Sequence, residues 1–100
     1  MPAFRISAKA MDDLKAIGRY TEKNWGRDQR NKYLSMFDAC FNTIADQPGI
    51  GIACDFIRLG YRKHHSGRHL IFYRQSGEYI EIIRILHDSM DVENHFWYIT

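Results

Sequence analysis

Residues 80–86 read Ile80-Glu81-Ile82-Ile83-Arg84-Ile85-Leu86, a run apolar enough for a buried strand, and it leads straight into His87-Asp88-Ser89-Met90-Asp91-Val92-Glu93-Asn94-His95-Phe96. Working back from it, Gln75-Ser76-Gly77 and Ser66-Gly67 are hairpin signals, and the hydrophobic period between them is close to two. The spacing predicts three antiparallel strands at about 57–65, 68–75 and 78–87. On the middle strand Leu70 and Phe72 face one way and Ile71 and Tyr73 the other; on the last, Ile80, Ile82 and Leu86 oppose Ile83 and Ile85. Both faces of such a sheet are apolar.

Farther upstream the period changes. Phe4-Arg5-Ile6-Ser7 alternates like a short half-buried strand, and Ser7 is suited to cap a helix by accepting a backbone N–H bond. Met11, Leu14, Ile17 with Gly18, Thr21 and Trp25 then recur at steps of three and four, a helical stripe that reads Trp25 as core and leaves Asp12, Asp13, Lys15, Arg19, Glu22 and Lys23 outside. Gly26 ends this helix, and Leu34, Phe37, Cys40, Phe41 and Ile44 mark a second. So short a connection predicts an antiparallel helical hairpin. Gln47-Pro48-Gly49-Ile50-Gly51 breaks it, and 48–56 is expected to be loop. A helical hairpin covers one sheet face, so the other must meet the C-terminal segment or a separate chain.

One hundred residues, 45% apolar and 26% charged, fit a single globular domain over 1–100. No stretch has the makings of a signal peptide or of the ~20-residue apolar run that a membrane helix needs, so the chain is expected to be cytoplasmic, with Cys40 and Cys54 reduced. The net charge of +2 divides unevenly: +2 over residues 1–54, +4 over 55–74, where Asp55 is the only acid, and −4 over 75–100. A basic strand pair beside an acidic end suits an anionic partner, although charge on a sheet edge also serves simply to prevent edge pairing.

Histidines 64, 65, 69 and 87 with Arg62, Lys63, Arg68, Arg74 and Arg84 contain the ingredients of a ribonuclease site: a base for the 2′-hydroxyl, an acid for the leaving oxygen and a cation for the phosphate. Alternation sends His64 and His65 to opposite faces, however, and nothing in the spacing makes Arg68, Arg84 and His87 converge. His65 and His69 flank a turn without a third ligand, and the cysteines form no paired motif, so no metal site is expected. Asp88, Asp91 and Glu93 lack the glycine and spacing of a calcium loop and read as helix-start charges. Trp97 and Tyr98, near the end of the chain, are candidates for contact with a partner.

Three segments carry a family resemblance: Gly60-Tyr61-Arg62-Lys63, Arg68-His69-Leu70-Ile71-Phe72-Tyr73-Arg74, and Arg84-Ile85-Leu86-His87 leading to Met90-Asp91-Val92-Glu93. In their order after a strand and two helices they resemble the RelE/ParE superfamily of bacterial toxin–antitoxin toxins, and the ParE branch most closely. The resemblance implies an α+β fold of N-terminal strand, antiparallel helical hairpin, three-stranded antiparallel meander and short C-terminal tail. It implies two protein partners, a cognate antitoxin whose C-terminal part wraps the toxin in a hetero-oligomer, and DNA gyrase, whose cleaved-DNA complex is trapped. No cofactor, no covalent chemistry and no sequence-specific nucleic-acid binding are implied. The antitoxin is expected on Arg58, Arg62, Lys63, Arg68, Ile71, Tyr73, Ile83 and Ile85, and the target on Trp97 and Tyr98. The alternative on the same fold is a RelE-type, ribosome-dependent messenger RNA endoribonuclease using Arg68, Arg84 and His87. A third reading is a non-toxic protein-binding module.

Overall fold

In a computed structural model that describes residues 3–89, the chain runs β1 (Phe4–Ile6), α1 (Ala8–Trp25), α2 (Arg27–Asp46), a 3-10 turn (Pro48–Ile50), β2 (Ile52–Ala53), β3 (Arg62–Ser66), β4 (His69–Ser76) and β5 (Tyr79–His87). The strands form one sheet in the order β1-β5-β4-β3-β2, with β1 parallel to β5 and the other neighbours antiparallel. The expected meander is its centre, β3 to β5. It is longer than expected at one edge, because Ile52 and Ala53, taken as loop, pair with Lys63 and Arg62. It is also shorter within β3, which starts at Arg62 rather than residue 57.

Local chemistry explains the elements. Ser7 accepts from Ala10 N–H at 3.0 Å, the cap expected of it, and α1 follows. The hairpins turn on Gly67-Arg68 and Gly77-Glu78, in which the glycines have φ of 58° and 64° and the residues after them do not have positive φ. That is the type II′ pattern, which matches the strand twist and needs glycine first.

Ala10, Phe37, Phe41 and Ile44 from the hairpin pack on Ile71, Tyr73, Ile80, Ile82 and Ile85, all of them buried. The other face holds Phe72, Ile83 and Leu86 under Cys54 and Tyr61. The segment 54–61 therefore covers part of the face that was expected to meet the C-terminal segment or a separate chain. Two further corrections follow. Ile71, Tyr73 and Ile85 are core beneath the helices, so they present no surface to an antitoxin, and Ile83 does not share their face. The reason is an irregularity in the β4–β5 ladder: Phe72 pairs with Arg84 and Tyr73 with Ile82, so Ile83 is an inserted residue and the alternation reverses beyond it. Leu86 consequently changes sides too.

Tyr73 also builds the β2 edge. Its hydroxyl accepts from Gly51 N–H at 2.8 Å and donates to Pro48 O at 2.8 Å, while Arg62 Nη1 donates to Gly51 O at 2.7 Å. A Cβ at position 51 would lie 2.5 Å from the Tyr73 hydroxyl and 2.7 Å from Lys63 O, so only glycine fits.

Candidate functional site: an aromatic groove

A groove of about 750 Å³ opens where α1, α2 and the β3–β4 turn meet. Its wall from α1 is Ala16, Ile17, Tyr20, Thr21 and Trp25; α2 adds Gln29 and Tyr33, and the sheet end adds Arg68, His69, His87 and Ser89. Trp25, read as core from the sequence, is 64% exposed and meets Tyr20, 62% exposed, edge-to-face at 5.9 Å. Along the helical stripe Leu14 and Ile17 are half-buried and Gly18 and Thr21 buried, whereas Met11 and Trp25, the last residue of α1, are exposed. Two exposed aromatics in contact, beside a largely apolar concavity, are the kind of anchor found at protein interfaces.

Polar groups of the groove are held by their neighbours. Tyr33 Oη and His69 Nδ1 are 2.7 Å apart, and the His69 ring lies edge-on to Tyr33, Phe37 and His87. Burial, reinforced by His87, pulls the His69 pKa below its ordinary value, so the ring is neutral at neutral pH. Burial also raises the Tyr33 phenol, partly offset by the backbone N–H of Arg68. His87 Nδ1 lies 2.7 Å from Ser89 Oγ and 3.4 Å from an Asp88 oxygen, and Asp88 reaches His65 at 3.6 Å. Among the described residues lining the groove, Arg68 alone carries a fixed charge.

The three residues considered for a ribonuclease are divided. Arg68 and His87 line the groove; Arg84 does not. Its Nε and Nη2 donate to the two oxygens of Asp13 at 2.8 and 2.9 Å, with both side chains largely shielded, and Asp13 also accepts from Ile85 N–H at 2.9 Å. Asp13, placed outside from the helical stripe, thus points into the sheet. A guanidinium bound on two sides by a carboxylate is a structural tie rather than a free phosphate clamp. Among the described residues no group of three His, Cys, Asp or Glu side chains is placed to hold a metal ion, and no helix is long and apolar enough to cross a membrane.

The basic residues expected to meet an antitoxin are spread along the chain from the 54–61 loop to the β3–β4 turn. Arg58 and Arg68 are exposed, Lys63 is half-buried, and Arg62 is engaged by Gly51 O. Ile71, Tyr73 and Ile85 are core, Ile83 lies on the opposite face at 8% exposure, and Trp97 and Tyr98 lie outside the described residues. Sequence reasoning missed Tyr20 and Tyr33 as groove residues. The available signal was Tyr20 itself, a large aromatic off the helical stripe beside Arg19.

The model of the ParE toxin of type II toxin–antitoxin systems, parDE, matches residues 4–92. This chain belongs to the ParE toxin family. It is similar to Toxin ParE1 of Caulobacter vibrioides, 41% identical over 95 residues that cover 95% of this chain and 98% of the relative. Toxin ParE1 of Mycobacterium tuberculosis is likewise 41% identical, over 92% of this chain and 95% of its own. A chain of the chromosomal ParDE TA system from P. aeruginosa has the same fold, with a TM-score of 0.73 over 87% of this chain and 96% of its own, at 20% identity. The α+β RelE/ParE-like architecture and the ParE branch expected from the sequence both hold for this family member.

Proposed function

We propose that this ParE-family toxin acts in the cytoplasm by binding DNA gyrase and trapping its cleaved-DNA complex, and that a cognate antitoxin holds it inactive by occupying the aromatic groove. The observation that carries this reading is the groove's make-up among the described residues: an apolar wall of Ile17, Tyr20 and Trp25, the fixed cation of Arg68, and histidine and tyrosine groups already bonded to their neighbours. Such a surface suits the apolar face of an amphipathic helix whose acidic side chains meet Arg68. Further acids of the same antitoxin meet Arg58 of the 54–61 loop and Lys63 of β3, and Arg62 braces β3 against Gly51. Ile83, buried in the cluster under Cys54 and Tyr61, serves the fold as Ile71, Tyr73 and Ile85 do. Trp97 and Tyr98 are proposed as the gyrase contact.

The chain performs no covalent chemistry in this reading. A RelE-type ribonuclease is the second reading, and the specific observation in its favour is that Arg68, His69 and His87 line one groove. Against it stand the Arg84–Asp13 pair and the Tyr33–His69 contact, which occupy the groups that such chemistry would need free. Expression of the chain without antitoxin distinguishes the two. Growth arrest with a DNA-damage response, relieved by co-expressed antitoxin, is expected; Trp25→Ala should weaken antitoxin binding by about 2 kcal/mol. Arrest with cleaved messenger RNA and an intact chromosome would point to the ribonuclease instead, and normal growth to a non-toxic module.

A further inference from the structure

A second apolar surface lies outside the groove. Ile52, Phe56 and Leu59 are 69%, 69% and 86% exposed, three large side chains within eight residues. They are not on a loose loop. Cys54 N–H donates to Tyr61 O at 2.8 Å, Ile57 N–H to Cys54 O at 3.0 Å, Tyr61 N–H to Arg58 O at 3.1 Å and Gly60 N–H to Asp55 Oδ1 at 2.8 Å. Cys54 and Tyr61 are the buried feet of this segment, on Phe72 and Leu86, so the bracing leaves Phe56 and Leu59 in water. Beside them β2 ends the sheet among the described residues, with β3 its partner on one side. An exposed apolar cluster along an open strand edge is a template for another strand.

Charge indicates which strand. Asp55 is the only acid between residues 47 and 77, and it is taken up by Gly60. Arg58 and Lys63 make no ion pair among the described residues. A second copy of the chain would bring these positive charges against their own kind, which disfavours it. An extended segment of alternating apolar and acidic residues satisfies both needs, because successive side chains of a strand point to opposite sides.

We infer that the β2 edge is a second docking surface, which takes an extended acidic-and-apolar segment of the antitoxin as a sixth strand beside Ile52, Phe56 and Leu59. The inference rests on the proposal that an antitoxin neutralises this chain, and it adds a site separate from the groove. With only two residues in β2, backbone pairing supplies few hydrogen bonds, so Phe56 and Leu59 carry most of the contact. One acidic chain reaching both surfaces also accounts for the concentration of positive charge in residues 55–74.

The test uses the full chain and the antitoxin encoded beside it. Dissociation constants would be measured for wild type, for Phe56→Ser/Leu59→Ser and for the groove variant Trp25→Ala, with amide hydrogen exchange followed at Ile52 and Ala53. The edge variant should bind at least ~30-fold more weakly, with an unchanged melting temperature, and the β2 amides should become protected when antitoxin binds wild type. Weakening by Trp25→Ala alone, with wild-type affinity for the edge variant and unprotected β2 amides, overturns the second site and leaves the antitoxin proposal standing. A free chain that dimerises through this edge, with antitoxin affinity indifferent to its loss, overturns it as well. No binding of antitoxin to wild type removes the parent proposal and this one together.

Discussion

At the β1 side of the sheet, Phe4 and Ile6 pack against the core and α1 finishes what β1 leaves open, whereas at the β2 side Ile52 stands in water and no helix follows among the described residues. β1 pairs with β5 only at Ile80–Ile82. Beyond that, Ser7 N–H donates to Ile82 O at 3.0 Å, the Ser7 hydroxyl to Ile83 O at 2.8 Å, and Asp13 accepts from Ile85 N–H. Every one of these bonds closes an edge that would otherwise seek a strand. The contrast teaches that one edge is sealed with the chain's own polar groups, and that the other is kept in a shape and charge a partner can complete.

The largest expected effect tests the sealed edge. Asp13→Ala leaves the shielded Arg84 guanidinium without its carboxylate and the Ile85 amide without an acceptor. It should cost about 3 kcal/mol of unfolding free energy, measured by urea denaturation. Phe56→Ser/Leu59→Ser at the open edge should change the same quantity by less than about 0.5 kcal/mol, since those side chains are already exposed. Equal losses in the two variants would erase the distinction between the edges.

A smaller effect comes from the groove end of the sheet, through His69. Its pKa is lowered in the folded chain, by burial first and by His87 second. The unfolded chain therefore takes up the proton first as pH falls. The contribution is fully present above the ordinary histidine value of about 6.5 and is lost as pH drops below it, until the folded form also protonates. Melting temperature should fall between pH 7.5 and 5.5, and His69→Gln should flatten that slope. A slope unchanged by the substitution would place the acid sensitivity elsewhere.

What was legible in the sequence was what depends on near neighbours. Ser7 before a helical stripe, Gly67 and Gly77 between alternating runs, and Ile80–Leu86 as a buried strand are each decided within a few residues. Apart from element ends such as Trp25 and the start of β3, the errors are long-range. Ile85 and Leu86 exchange faces because of how β5 registers on β4, and Asp13 turns inward because Arg84 and Ile85, some seventy residues away, need it. The site was legible in pieces: Arg68 and His87 were singled out, but Tyr33 meets His69 across 36 residues, and no period reports that. Ile52 paired as a strand because Tyr73 and Arg62 hold Gly51 in place, which a two-residue segment cannot announce.

Whether the chain binds or cuts is decided by adding the purified protein to DNA gyrase on supercoiled plasmid, and in parallel to ribosomes carrying messenger RNA. Gyrase-cleaved DNA should accumulate, undiminished in His87→Ala to the extent that this variant stays folded, with the messenger RNA intact. Cleaved messenger RNA with unchanged gyrase turnover, abolished by His87→Ala, would contradict the binding reading.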